Sequence, residues 1–274
     1  MDEIKGSILK QVFKKRNNWS YKYDYGSLLV IGGSKIYHGS PALAALAALR
    51  SGTDLVTVAA PERAADLIAG LSPDLITYPL KGDYLEKKHI PALIEASKDK
   101  TAIVIGNGLC RQEKTLAAIK EFLKKTNKPA VIDADAIHAL DKNLLKSNFL
   151  ITPHTREFYV MSKIELERSL ESRLAALKNF ACSSTILLKG HVDIIFNASK
   201  TAINITGNYY MTKGGTGDTL AGICGSLLAQ GVDYFDAACA AAYINGKAGD
   251  IVAKQKKQGL LATDLIEKIP DVIR

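Results

Sequence analysis

The residues best placed to do chemistry are Lys213-Gly-Gly-Thr-Gly-Asp218-Thr-Leu-Ala-Gly222. Glycines this dense suit neither a strand nor a helix interior, because glycine loses the most backbone entropy on ordering. From Asp218 onward Leu220, Ala221, Ile223, Cys224, Leu227 and Leu228 read as a closely packed helix. The segment is therefore a glycine loop entering a helix N-terminus. Unpaired backbone N–H groups point outward there and the helix dipole adds partial positive charge, which suits an anion such as phosphate. Asp218 then has two readings. It is an N-cap, or it is a base that takes a proton from a hydroxyl attacking a phosphate held by the loop. Phosphoryl transfer needs little beyond positioning, charge stabilisation and such a base.

The elements that must position this loop alternate along the chain. Short apolar runs predict strands over 27–31, 55–59, 75–78, 102–105, 130–133, 149–152 and 185–189, with a hairpin pairing 193–197 and 201–205. Helical patterns fall at 4–16, 42–50, 62–69, 90–97, 114–125, 136–145, 173–180 and from 218 to the end. This alternation predicts an α/β fold, a largely parallel central sheet with helices on both faces. A single domain over 1–274 is expected.

Ligands of such sheets sit beyond the carboxyl ends of the strands, and the polar and glycine signals collect there. They are Gly32-Gly33, Gly106-Asn107-Gly108, Asp133 with Asp135, Thr152-Pro153-His154, and Lys189-Gly190. Asp135 taken alone reads equally as a helix N-cap, and His154 as a polar loop residue. Gly106-x-Gly108 lacks the third glycine of a dinucleotide fingerprint, and no P-loop, nucleophile elbow or H-E-x-x-H motif is present. Together the strand ends describe a wide, anion-tolerant crevice, which favours a nucleotide-using enzyme.

Composition sets the outer limits. Hydrophobic residues at 47% and charged residues at 23% are ordinary for a soluble globular chain. Lys and Arg total 36 against 28 Asp and Glu, a net charge of +8. The basic runs Lys10 to Arg16 and Lys254 to Lys257 lack interleaved aromatic residues, so they read as solvated helix faces and not as a nucleic-acid surface. The excess charge suits polyanionic small molecules. Cys110, Cys182, Cys224 and Cys239 are widely spaced, which argues against a zinc site, a redox pair or a disulfide framework. The first residues show no signal pattern and the apolar run Ala42 to Leu49 is too short for a bilayer span, which predicts a cytoplasmic chain without membrane contact.

Gly207-Asn-Tyr-Tyr-Met-Thr-Lys-Gly-Gly-Thr-Gly-Asp218-Thr-Leu-Ala-Gly222 resembles the signature of the ADP/ATP-dependent NAD(P)H-hydrate dehydratases of the ribokinase-like superfamily. Other motifs follow in the same order: Gly32-Gly33-Ser34 with Tyr37 and Gly39, Ala48-Leu-Arg-Ser-Gly52, Gly106-Asn-Gly108-Leu109, Asp133-Ala-Asp135-Ala136, Thr152-Pro-His154 and Lys189-Gly190. The similarity runs from about Ser27 to the last helices.

The resemblance implies repair of damaged nicotinamide cofactor. The (6S)-hydrate of NADH or NADPH, NADHX or NADPHX, is dehydrated with ADP in bacterial and archaeal members and with ATP in eukaryotic ones. A ring hydroxyl is a poor leaving group; converted to a phosphate, it is expelled by the ring-nitrogen lone pair. By this resemblance Asp218 is the base, and the N–H groups of Gly215, Thr216 and Gly217 stabilise the transferred phosphoryl. Ser40, Gly106, Gly108 and His154 line the hydrate site with Asp218. Lys189, Gly190, His191, Val192, Asp193 and Gly217 hold the adenine nucleotide. Mg²⁺ bridges the nucleotide phosphates, with no dedicated protein metal cage expected. A homotetramer and a separate epimerase chain are further implications, since only about 26 residues precede the first core strand.

This chain departs from the family pattern at Ser40, where alanine is usual, at Lys213, where a small residue is usual, and at Thr155-Arg156-Glu157. The two added cations predict stronger phosphate binding and a preference for NADPHX. Two other classes share the glycine loop. A ribokinase-like kinase of a thiazole or pyrimidine alcohol would leave a stable phosphate ester. A nucleotide-binding regulator would bind ADP or ATP without turnover.

Overall fold

The computed structural model describes residues 2–180 and 182–274. The first half of the chain forms β1 (Asp2–Glu3), α1 (Ser7–Val12), β2 (Ser27–Ile31), α2 (Gly39–Arg50), β3 (Leu55–Pro61), α3 (Glu62–Ala69), β4 (Ile76–Leu80), α4 (Ile90–Ser97), β5 (Ala102–Ile105), α5 (Glu113–Lys125) and β6 (Ala130–Ile132). The second half forms β7 (Phe149–Ile151), α6 (Thr155–Ser162), α7 (Leu170–Phe180), β8 (Thr185–Leu188), β9 (Asp193–Phe196), β10 (Thr201–Asn204), α8 (Thr216–Ala229), α9 (Tyr234–Lys256) and α10 (Ala262–Val272).

The described strands join one sheet in the order β1-β10-β9-β8-β7-β6-β5-β2-β3-β4. From β8 to β4 every pairing is parallel, and β9 is antiparallel to both β8 and β10. Strands such as Ser27–Ile31 are buried along their whole length, which is why they read as unbroken apolar runs: helices cover both faces of a parallel sheet. Alternate residues feed the two layers. Leu28 and Val30 face α2, α3, α8 and α9, while Leu29 and Ile31 face α4, α5, α6 and α7.

The chain leaves β2 in two directions, through β3 to β4 on one side and from β5 to β8 on the other. Between β2 and β5 the order reverses, and a crevice opens beyond the strand ends at such a switch point. The Gly33 N–H donates to the Asn107 carbonyl across it at 2.8 Å.

Three elements differ from the sequence expectation. The helix expected over 4–16 is confined to Ser7–Val12, because the Ile4 N–H bonds the Ile203 carbonyl at 2.9 Å beside β10 and Arg16 reaches the Asp54 carboxylate at 3.0 Å. The helix expected over 136–145 is two short 3₁₀ turns, Ala134–Ala139 and Lys142–Leu144, separated by extended Leu140 and by Asp141, whose side chain caps the second turn through the Asn143 N–H. Helix α6 was not expected. Its signal is His154 followed three residues later by Glu157, a capping box in which His154 takes the place usually held by serine or threonine.

Candidate active site

Helix α8 starts at Thr216, with Gly215 as its N-cap at φ +96°. A side chain at Gly215 would strain that backbone and fall 2.7 Å from Leu43 Cδ1, so glycine is required there. No side chain caps the helix, which leaves the N–H groups of its first turn for a ligand. Asp218 is thus the third helical residue and not the N-cap; that reading is set aside. The loop is tied down from three directions. Thr216 Oγ1 donates to the Met211 and Lys213 carbonyls at 2.9 and 3.0 Å. Asn245 of α9 donates to the Thr216 carbonyl at 3.2 Å and accepts from Thr219 Oγ1 at 2.7 Å.

Asp218 joins a line of charged and polar groups drawn from four strand ends. Asn107, after β5, donates from Nδ2 to Asp218 Oδ1 at 2.6 Å and to Asp133 Oδ2 at 3.0 Å. Asp133, after β6, accepts at Oδ1 from Lys189 Nζ at 2.9 Å and from Thr152 Oγ1 at 2.7 Å. Lys189, after β8, lies 3.6 Å from Glu157 Oε2. Glu157 accepts from the His154 N–H at 2.8 Å, and His154 Nδ1 accepts from the Arg156 and Glu157 N–H groups. Asn107, Asp133 and Glu157 are all buried.

This environment tunes two groups. Burial, then the charge of Asp133, pushes the Asp218 carboxyl up to about 7, while hydrogen bonds from Asn107 and Ser40 and the Lys189 ammonium pull against that rise. Burial works against the Lys189 ammonium, but Asp133 and Glu157 outweigh it and hold its proton affinity above the ordinary lysine value. A carboxylate that takes up a proton near neutral pH is suited to general-base work.

Next to Asp218 lies a cavity of about 360 Å³ lined by Lys189, Gly190, His191, Asp193, Tyr209 and Gly217 among others. Its wall at 188–192 is shaped by buried Arg173, which donates to the carbonyls of Leu188, Lys189 and Val192 at 3.2, 3.0 and 2.7 Å. Asp193 Oδ1 accepts from the Gly190 N–H at 3.0 Å, and burial raises the Asp193 carboxyl above its ordinary range. A larger groove of about 650 Å³ beside β1 and β10 contains none of these groups.

The structure therefore brings together most residues singled out from sequence. A Cβ on Gly108 would lie 3.3 Å from that of Ser40, a polar neighbour of Asp218. Lys189, Gly190, His191, Asp193 and Gly217 share the cavity, with the Val192 carbonyl turned to Arg173. Gly106 is buried beneath the crevice, where a Cβ would sit 1.7 Å from the Asp133 carbonyl oxygen. His154 is linked through Glu157 and Lys189, and its Nδ1 is committed to capping α6. Asp135 does not cap a helix. It lies inside the first 3₁₀ turn, where it accepts from the Cys110 N–H at 2.9 Å and pairs with Arg111 at 3.2 Å.

A family model described as NAD(P)H-hydrate dehydratase matches residues 28–271. The chain belongs to this family. It is 43% identical over 266 residues to the bifunctional NAD(P)H-hydrate repair enzyme of Methanocaldococcus jannaschii, covering 96% of this chain and 51% of that protein. The chain spans about half the length of the bifunctional relatives it matches. With the ADP-dependent (S)-NAD(P)H-hydrate dehydratase of Natrialba magadii it shares 38% identity over 92% of this chain and 93% of that one. Among solved structures, the ADP/ATP-dependent NAD(P)H-hydrate dehydratase of Bacillus subtilis, co-crystallised with ATP/Mg²⁺, superposes with a TM-score of 0.86 at 28% identity, covering 99% and 97% of the two chains. The fold is ribokinase-like.

Lys213 and Arg156, the two cations singled out in the sequence, are both exposed. Lys213 Nζ is taken up by the Gln258 carbonyl, and Arg156 is exposed on α6. Asn107, Glu157, Arg173 and Asn245 were not among the expected site residues. Asn107 had a signal inside the quoted Gly106-Asn-Gly108 motif, and Glu157 had one in its spacing from His154. Arg173 and Asn245 sit in ordinary helical sequence, where nothing local marks them.

Proposed function

We propose that this chain dehydrates (6S)-NADHX and NADPHX to NADH and NADPH with ADP as phosphoryl donor, ATP being the alternative donor. The observation that carries the reading is a carboxylate of raised proton affinity on the first turn of an uncapped helix, beside a cavity of about 360 Å³. Asp218 takes the proton of the ring hydroxyl as its oxygen attacks the terminal phosphorus. The new O–P bond forms, the bond to the bridging oxygen breaks, and AMP (or ADP) leaves. N–H groups of the loop at Gly215, Thr216 and Gly217 stabilise charge on the phosphoryl in flight. The ring-nitrogen lone pair then expels phosphate, and loss of a proton from the neighbouring carbon restores the dihydropyridine.

Ser40, Gly106, Gly108 and His154 are assigned to the hydrate side with Asp218. Lys189, Gly190, His191, Val192, Asp193 and Gly217 are assigned to the nucleotide. The names of the Natrialba and Bacillus relatives support the donor assignment. Among the described residues no three carboxylate, histidine or cysteine side chains form a metal cage. In this reading Mg²⁺ would be held chiefly by nucleotide phosphates and water, where it would offset phosphate charge. A single domain, cytoplasmic residence, assembly as a homotetramer and supply of substrate by an epimerase complete the reading. Relatives named as bifunctional NAD(P)H-hydrate repair enzymes support the pairing with a second repair activity, and no helix among the described residues is long and apolar enough to cross a membrane.

The test is recovery of absorbance at 340 nm from NADHX, Mg²⁺ and ADP or ATP. Asp218→Asn is expected to lower the rate by about 10²- to 10⁴-fold, the usual loss for a positioned base. A stable phosphate ester with no NADH would make the chain a small-alcohol kinase instead.

A further inference from the structure

The two carboxylates beside Asn107 are not equivalent. Asp133 is fully engaged, its Oδ1 taken by Lys189 and Thr152 and its Oδ2 by Asn107. Asp218 takes Asn107 on Oδ1, with the Ser40 side chain close by. Asn107 thus divides its amide group between two acids that would otherwise repel each other.

Asn107 is itself held in place. It is 0% exposed, its backbone carbonyl accepts from the Gly33 N–H at 2.8 Å, and a Cβ on Gly32 would come within 2.5 Å of that carbonyl. The orientation of its amide follows from its neighbours: flipped, its oxygen would face two carboxylate oxygens. Its Oδ1 has no hydrogen-bond partner among the described residues. An unpaired buried acceptor costs about 1–3 kcal/mol. The side chain gives up that partner in order to turn its amino group to both carboxylates.

Taking Asp218 as the base proposed above, we infer that Asn107 is the positioning residue of this site. Its amide clamps one oxygen of Asp218 beside the Lys189-paired Asp133 and leaves the other oxygen to meet the substrate hydroxyl.

The groups facing Asp218 are Ser40 at the start of α2, Asn107 after β5, Asp133 after β6 and Lys189 after β8, with Glu157 of α6 behind Lys189. Asp133 raises the proton affinity of Asp218 and the Asn107 bond lowers it. Removing each therefore moves the titration in opposite directions, which a residue that merely supported the fold would not do.

The experiment measures kcat against pH in the NADH-recovery assay, together with the ¹³C shift of the Asp218 carboxyl in Asp-labelled protein, assigned with Asp218→Asn. Asn107→Ala is expected to lower kcat about 10- to 100-fold, as a misplaced reacting group does, with KM for ADP unchanged and the midpoint moved above the wild-type value. Asp133→Asn is expected to move the midpoint below it. Asn107→Ser, which keeps one donor, is expected to fall between wild type and alanine, and it replaces the alanine variant if that one fails to fold. Folded variants whose midpoints stay put, or move together, overturn the clamp. The carboxyl titration needs no turnover. If the wild-type protein makes no NADH, the proposed reaction falls, and the opposed midpoints still decide the clamp.

Discussion

The two helical layers on this sheet are built from different residues. Under α2 and α8 the packing is small: Ala42, Ala44, Ala45, Ala47 and Ala48 meet a helix whose Gly222 has no room for a side chain, a Cβ there falling 2.0 Å from the Ala44 carbonyl oxygen. Gly225, one turn on, would drive a Cβ to 2.2 Å from Val104 Cγ2 on β5. The opposite layer is filled by large side chains, with Phe122, Phe149, Phe158 and Phe180 buried and Phe158 set edge-on to Phe180 at 5.5 Å. Close backbone approach leaves a helix little freedom to slide, whereas bulky side chains supply apolar area. The small-residue layer carries Asp218, whereas the large-residue layer meets the site from its edge, through Glu157 of α6 and Arg173 of α7. The difference separates the layer that fixes the reacting carboxylate from the layer that supplies the large apolar side chains.

If this division holds, substitutions in the two layers have different signatures. Phe122→Ala should have the largest effect on stability, about 3–5 kcal/mol by urea denaturation for a fully buried phenylalanine, while kcat of the folded fraction stays at the wild-type level. A matching fall in kcat would show that the large-residue layer also positions the site. Gly222→Ala should cost less stability, about 1–3 kcal/mol as overpacking does, yet lower kcat about a hundredfold because α8 must shift. Full activity in that variant would break the comparison at its centre.

Asp218 sharpens it further. Its proton affinity rises from an ordinary value of 3.8 to about 7 in the fold. The stabilisation linked to its protonated form is fully present below the unfolded value and is lost as pH rises through about 7. Activity that uses Asp218 as a base should show the reverse, rising with pH through about 7. Asp218→Asn should therefore melt at a higher temperature than wild type at pH 8, and this gain should vanish near pH 4. An unchanged melting temperature at pH 8 would mean that the carboxylate sits in the fold without strain. The smallest effect belongs to the outer surface of the large-residue layer. The Lys125–Glu121 pair on α5 spans 2.9 Å with both side chains solvated, and Lys125→Ala should leave the melting temperature within about 2 °C of wild type.

Much of this molecule is legible along the chain because its causes are local. A dense run of glycines marks a loop wherever it occurs, and strands buried on both faces must be apolar throughout, so the alternation, the parallel sheet and the Asp218 helix follow from sequence. Helix α6 was legible in principle through the His154 and Glu157 spacing, but a histidine cap is easily read as a loop residue. The broken helix over 136–145 was not, because Asp141 acts by capping a second turn where the helical pattern of the sequence continues.

The charged line is the part that only the tertiary structure decided. Asn107 and Asp218 are 111 residues apart, and Asp133 and Lys189 are 56 apart. Asn107, Asp133 and Lys189 each sit in sequence as one polar residue just past a strand, and Asp218 sits on the first turn of α8. Which polar residue meets which depends on the order of strands in the sheet and on how closely α8 approaches β5. Those are set by long-range packing, so residue types and spacing along the chain marked the strand ends and Asp218, and the fold alone brought in Asn107 and Glu157 and paired the groups.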